Sequence, residues 1–108
     1  MSVSAFIPHP ENEEELGFNV PVASEAFFNA YWMPAAEELN LQWVPIFSTG
    51  IDISEEDLPD VLGELNRLKQ WAAGRGGEEM EQMLSRIDML ITRLPLAYER
   101  EGAVVYIG

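Results

Sequence analysis

Apolar residues recur at the three-and-four spacing of a helix twice in the second half of the chain. Leu58, Val61, Leu62, Leu65, Leu68 and Ala72 form one stripe, and Met80, Met83, Leu84, Ile87, Leu90, Ile91 and Leu94 form another. Gly74-Arg75-Gly76-Gly77 lies between them, too flexible to continue either helix and short enough to fold them back on each other. The pattern predicts an antiparallel hairpin of helices over 57–73 and 78–94. Each stripe must be covered by the other helix or by a sheet. Glu64 falls on the opposite side of the first helix from its stripe. Its removal is therefore expected to change stability by less than about 0.5 kcal/mol.

The remaining signals are shorter. Val3, Ala5 and Ile7 alternate with their neighbours until Pro8, which reads as a strand over 2–7. The acidic run from Glu11 to Glu15 reads as a solvated loop. Gly17 to Val22 reads either as an edge strand or as a loop, because Pro21 lacks the N–H that a central strand needs. Ser24 is suited to cap a helix over 25–39, in which Pro34 predicts a kink or a division into two. Asn40 is a left-handed stop. Leu41 to Phe47 is rich in strand formers and apolar on both faces, which predicts a covered strand over 41–47.

Ile51 and Ile53 flank Asp52 in a two-residue period, a further short strand. Ser54 or Asp57 starts the next helix after a loose turn at Glu55-Glu56, with Pro59 in its first turn. Pro95 ends the second helix of the hairpin near Leu94. Ala103 to Ile107 is a strand by composition. Strands and helices are mixed without a βαβ rhythm, so the expected class is α+β. The sheet is expected to be small, about three-stranded, packed by the helical hairpin with one further helix.

Charge changes the picture more than size does. At 108 residues, 47% of them hydrophobic, the chain is one domain able to bury its own core. It has 19 acidic and 6 basic residues, and the halves differ: residues 1–60 hold 12 carboxylates and no Lys or Arg. Residues 61–108 hold 7 acidic and 6 basic, so the two parts carry −12 and −1. This balance argues against direct nucleic-acid binding, which needs a basic footprint. It favours a basic protein partner, although an acidic surface also serves solubility alone. No apolar run approaches the roughly 20 residues of a membrane span, and no secretory signal is visible. With no cysteine, disulfides and thiolate metal sites are excluded, and a cytoplasmic, bacterial-type protein is expected.

No motif carries catalytic chemistry. His9 is the single histidine and lies between two prolines, with no cysteine to complete a nucleophilic pair. The glycines at 74, 76 and 77 lack the Lys of a phosphate loop. No pair of carboxylates is singled out for glycosidic chemistry. Enzymatic activity and a cofactor are therefore not expected. Asp52, Glu55, Glu56, Asp57 and Asp60 lie close together but lack the alternation and central glycine of a calcium loop, so a divalent metal is the weakest reading.

Those five carboxylates, at the start of a helix, are the leading candidates for partner binding. Glu11, Glu13, Glu14 and Glu15 form the second acidic group. Phe27 and Tyr31 lie on a different side of their helix from Phe28 and Trp32, so one pair is expected to enter the core. Trp32 and Phe28 are the candidate aromatic anchors of an interface. Met89, on the polar side of its helix between Arg86 and Arg93, needs a cover from elsewhere. In size and charge the chain resembles the small acidic immunity proteins with which bacteria block toxic nucleases, and also acidic DNA mimics. The resemblance rests on no shared motif and assigns no residue a role. It implies a non-enzymatic inhibitor of a basic partner such as a toxin or a nucleic-acid-binding protein. The competing expectation is a self-associating assembly protein, a homodimer built on Trp32, Met89 and the hairpin.

Overall fold

The computed structural model describes residues 2–108 as an α+β fold, a four-stranded antiparallel sheet with helices against one of its faces. In chain order the elements begin with β1 (Ser2–Phe6), a short α1 (Glu13–Leu16) and β2 (Asn19–Ser24). A helical stretch follows, made of α2 (Glu25–Phe27), a π turn (Phe28–Trp32) and α3 (Met33–Glu38). After a 3-10 turn (Val44–Ser48) come β3 (Ile51–Ser54), α4 (Leu58–Ala73), α5 (Glu78–Arg93) and β4 (Val104–Ile107). The strand order is β2-β1-β4-β3, one strand more than expected.

The hairpin of α4 and α5 forms as its stripes require. Val61, Leu65 and Leu68 of one helix and Met83, Ile87 and Leu90 of the other are fully buried. They pack with Val3, Ala5, Val20, Ile53, Val105 and Ile107 from one face of the sheet. Pro95 ends α5 at Arg93, and a 3-10 turn over Leu94–Tyr98 leads toward β4. Tyr98 is buried there, and its hydroxyl donates to the carbonyl of Ile53 at 2.7 Å. Burial, reinforced by the nearby Asp57 carboxylate, pushes this phenol well above its ordinary range.

Gly17 to Val22 resolves as part of an edge strand. Pro21 is tolerated because β2 has only one neighbour, and a bulge places Val3 opposite Ala23 but Ser4 opposite Pro21. The helical stretch around Pro34 is divided as expected, into α2 and α3, by a change of winding and without a gap. The five-residue π turn precedes the proline, with the N–H of Met33 reaching back to the carbonyl of Phe28. The wider turn accommodates a residue that has no N–H to donate. Asn40, at φ +56°, ends the helix, with the N–H of Leu41 donating to Ala36 and that of Asn40 to Glu37.

The strand expected over 41–47 does not exist. Leu41, Val44 and Phe47 are buried, a spacing of three that suits a 3-10 turn, whereas a strand would bury alternate residues. The reason is Glu64. Its carboxylate accepts the backbone N–H groups of Gln42, Trp43 and Val44 at 2.8, 2.9 and 3.1 Å. Those donors would otherwise belong to a ladder, and Pro45 has none to offer. Glu64 was expected to be idle. It caps the turn from a helix twenty residues further on.

Candidate functional site

The strand order decides where the acidic segments go. β1 and β3 both pair antiparallel with β4, so they run in the same direction and finish at the same end of the sheet. The chain leaving β1 carries Glu11, Glu13, Glu14 and Glu15, and the chain leaving β3 carries Glu55, Glu56, Asp57 and Asp60. Glu99 and Glu101 precede β4 at that same end. Neighbouring strands lie about 4.8 Å apart, which places the ends of β1 and β3 about 10 Å from each other. Two groups separate in sequence therefore form one acidic end.

Within it the carboxylates have different uses. Asp57 accepts from the N–H and hydroxyl of Ser54 at 3.1 and 2.9 Å, a capping box that starts the helical turn before α4. Asp52, Glu55, Glu56 and Asp60 are exposed, and none forms an ion pair among the described residues.

The run from Glu11 to Glu15 is not the solvated loop its composition suggested. Asn12 caps α1 by accepting the N–H of Glu15 at 2.7 Å. Glu15 itself is only 7% exposed. Arg100 grips it with two bonds, Nε to Oε2 at 2.8 Å and Nη2 to Oε1 at 3.0 Å, and also pairs with Glu11. The Arg100 hydrogen bonds hold the Glu15 carboxyl below its ordinary value of 4.5, outweighing the opposing effect of desolvation.

All six basic side chains are engaged within the chain. Lys69 pairs with Asp88, Arg75 with Glu38, and Arg100 with Glu11 and Glu15. Arg67, Arg86 and Arg93 donate to the backbone carbonyls of Leu39, Pro21 and Asn19. The last two lie over the outer edge of β2. Among the described residues, none of these cations pairs with Asp52, Glu55, Glu56 or Asp60.

Two of the sequence-derived candidates are corrected. Phe28 and Trp32 are the ring pair that enters the core, stacked at 5.6 Å and fully buried, so neither is available to a partner. Phe27 and Tyr31 are the outer pair. Both pairs are spaced by four, so spacing alone does not say which pair turns inward; the packed core takes Phe28 and Trp32. Met89 is half-buried beside Ser85, Asp88, Thr92 and Arg93. Among the described residues, no three Asp, Glu or His side chains are disposed to hold a metal ion, so Asp52 to Asp60 gains no geometric support as a cation site.

The apolar surface at this end comes from residues without a sequence signal. Leu16, at the end of α1, is 73% exposed, and Leu96 is 63% exposed. Leu96 overhangs a small cleft of about 50 Å³ with Ile7, Phe18, Glu14 and Arg100 around it. Beside it, a wider open groove is lined by Pro8, His9, Pro10, Glu11, Arg100, Gly102 and Val104. His9 is exposed there, with Glu11 the one acidic residue and Arg100 the one arginine lining the groove beside it. No described helix is long and apolar enough to cross a membrane. Compared with protein-family models, curated proteins and solved structures, the chain matches none.

Proposed function

We propose that this chain is a non-enzymatic acidic binding protein that neutralises a basic protein partner through the acidic end of its sheet. The observation that carries the reading is the convergence of three acidic segments in which, among the described residues, Asp52, Glu55, Glu56 and Asp60 have no basic side chain paired with them. Charges held on strand ends and helix starts keep a fixed geometry, so little ordering is needed on binding. Their repulsion in the free protein becomes steering when a basic surface approaches, raising association rates as much as about a thousandfold. Exposed Leu16 and Leu96 beside the carboxylates supply the apolar contact that charge alone lacks. These leucines replace Phe28 and Trp32 in that role. The self-associating alternative loses its main anchor with the burial of Trp32, and like charge on two copies opposes it.

The test is capture of partners from a native lysate on the immobilised chain, followed by association kinetics at low and high salt. Reversing Glu55, Glu56 and Asp60 to Lys is expected to slow association steeply. Reversing Glu13 and Glu14 should slow it further, because both groups share one end. A captured partner that binds the triple variant as fast as the unaltered chain, or whose association ignores salt, would make the acidic end a solubility feature only.

A further inference from the structure

The helices cover one face of the sheet, and residues on the other face are half-buried or exposed. Across that open face runs a single row. Asp52 of β3 stands opposite Tyr106 of β4, Tyr106 opposite Phe6 of β1, and Phe6 opposite Asn19 of β2. Ser4 and Gly108 exchange both backbone hydrogen bonds. By the alternation of an antiparallel ladder, Phe6 and Tyr106 form the next hydrogen-bonded pair. Asp52 and Tyr106 then form the non-hydrogen-bonded kind, in which side chains come closest, with Cα atoms about 4.5 Å apart. A carboxylate therefore stands beside a phenol ring on one surface.

The ring's position is set by two glycines. A Cβ at Gly50 would lie 1.9 Å from the Tyr106 oxygen, and one at Gly108 would lie 2.6 Å from its ring. Tyr106 thus leans over bare backbone at Gly50 and Gly108, with the Phe6 ring 5.4 Å away and tilted 60° to it. Tyr106 is half-buried on the face that the helices leave open, so part of its ring is accessible to solvent. An aromatic face beside a carboxylate is the environment that a planar guanidinium prefers.

The same chain contains a completed version of that arrangement. Arg75 lies 3.8 Å over the Trp71 ring and pairs with Glu38, which also accepts the Trp71 indole N–H. Ring, guanidinium and carboxylate are all present there. At Tyr106 the ring and carboxylate are present and the guanidinium is missing. A second copy of this chain is a poor donor of that group, because it carries a net charge of −13 and its arginines already hold carboxylates or backbone carbonyls of their own chain. The charge therefore selects a different, basic protein.

We propose that the open sheet face seats an arginine side chain of the partner, its guanidinium lying on the Tyr106 ring and pairing with Asp52. This rests on the acidic-binder reading and adds the group that is recognised and where it lands. Lysine would satisfy the carboxylate but not the ring, so the site should distinguish two cations that a merely acidic surface treats alike.

The experiment titrates the full chain with octa-arginine and, separately, octa-lysine at physiological salt, using calorimetry for affinity and NMR for the contact. Octa-arginine should bind about two- to five-fold more tightly, with shifts in the Tyr106 and Phe6 ring resonances. Tyr106→Leu keeps an apolar cover over the glycines and should remove the preference, as should Asp52→Asn in part. Equal affinities, or a preference that survives in Tyr106→Leu, would overturn the seat while leaving the acidic end as the binder. So would shifts confined to Glu55, Glu56 and their neighbours in the unaltered chain, an outcome that needs no variant to fold. Failure of both peptides to bind would remove this proposal and the function it rests on together.

Discussion

Glu11–Glu15 and Asp52–Asp60 look alike as sequence, two short acidic runs beside prolines, yet the fold ties down Glu11 and Glu15 of the first and only Asp57 of the second. In the first, Arg100 draws Glu15 out of solvent and holds Glu11 with it. The run is tied to the chain that leads into β4. In the second, Asp57 alone has a structural task and the other carboxylates stand free on a strand end and a helix start. The difference lies in what is within reach. An acidic residue becomes structural when a donor that needs it lies opposite, and otherwise it remains available to something outside the chain.

The core bordering both runs sets the scale for testing that contrast. Leu65→Ala or Ile87→Ala should cost about 2–5 kcal/mol in denaturant titration, because both side chains are fully buried in the hairpin. Glu64→Ala should come next, at about 1–2 kcal/mol, because three backbone donors lose their acceptor. A change below about 0.5 kcal/mol would return Glu64 to the idle surface role that its helix position alone suggests.

Glu15→Gln sharpens the comparison through pH. The folded carboxyl titrates below its ordinary range, so its contribution is complete above the unfolded value and lost as pH falls through the folded one. The variant should melt at a lower temperature than the unaltered chain at neutral pH, and the gap should close on acidification. A gap that widens in acid would contradict the Arg100 pairing. The smallest effect belongs to the free carboxylates. Glu55→Lys or Glu56→Lys should shift stability by no more than about 0.5 kcal/mol, and toward stabilisation as repulsion is relieved. A large loss on thermal melting would mean that these side chains also serve the fold.

What the sequence made legible follows from how local each cause is. The two helices of the hairpin, the glycine turn between them, the stop at Asn40 and the strands at either end of the described chain depend on spacing and on neighbours a few residues away. The segment over 41–47 does not. Its apolar residues fit a strand until Glu64, on a different element, takes its donors. Phe28 and Trp32 are misplaced for a related reason, since Phe27 and Tyr31 have the same spacing and only packing against distant residues decides which pair turns inward. At the acidic end, the sequence names Asp52 to Asp60 but not their company. Glu15, Arg100, Leu16 and Leu96 become neighbours only through the pairing of β1 with β4, and Tyr106 gains its place only from two glycines remote from each other.

That pairing also has a consequence in time. β4 is the last of the strands to leave the ribosome, yet it lies inside the sheet, and Phe6 waits a hundred residues for Tyr106. Until β4 is made, the slot between β1 and β3 has no strand to fill it. Such a long-range closure is slow compared with local helix formation. It leaves the nascent chain exposed to strand pairing with other molecules. The carboxylates beside that slot, on the same segments that must wait, would keep like chains apart in the interval, a use for the charge that begins before the protein is folded.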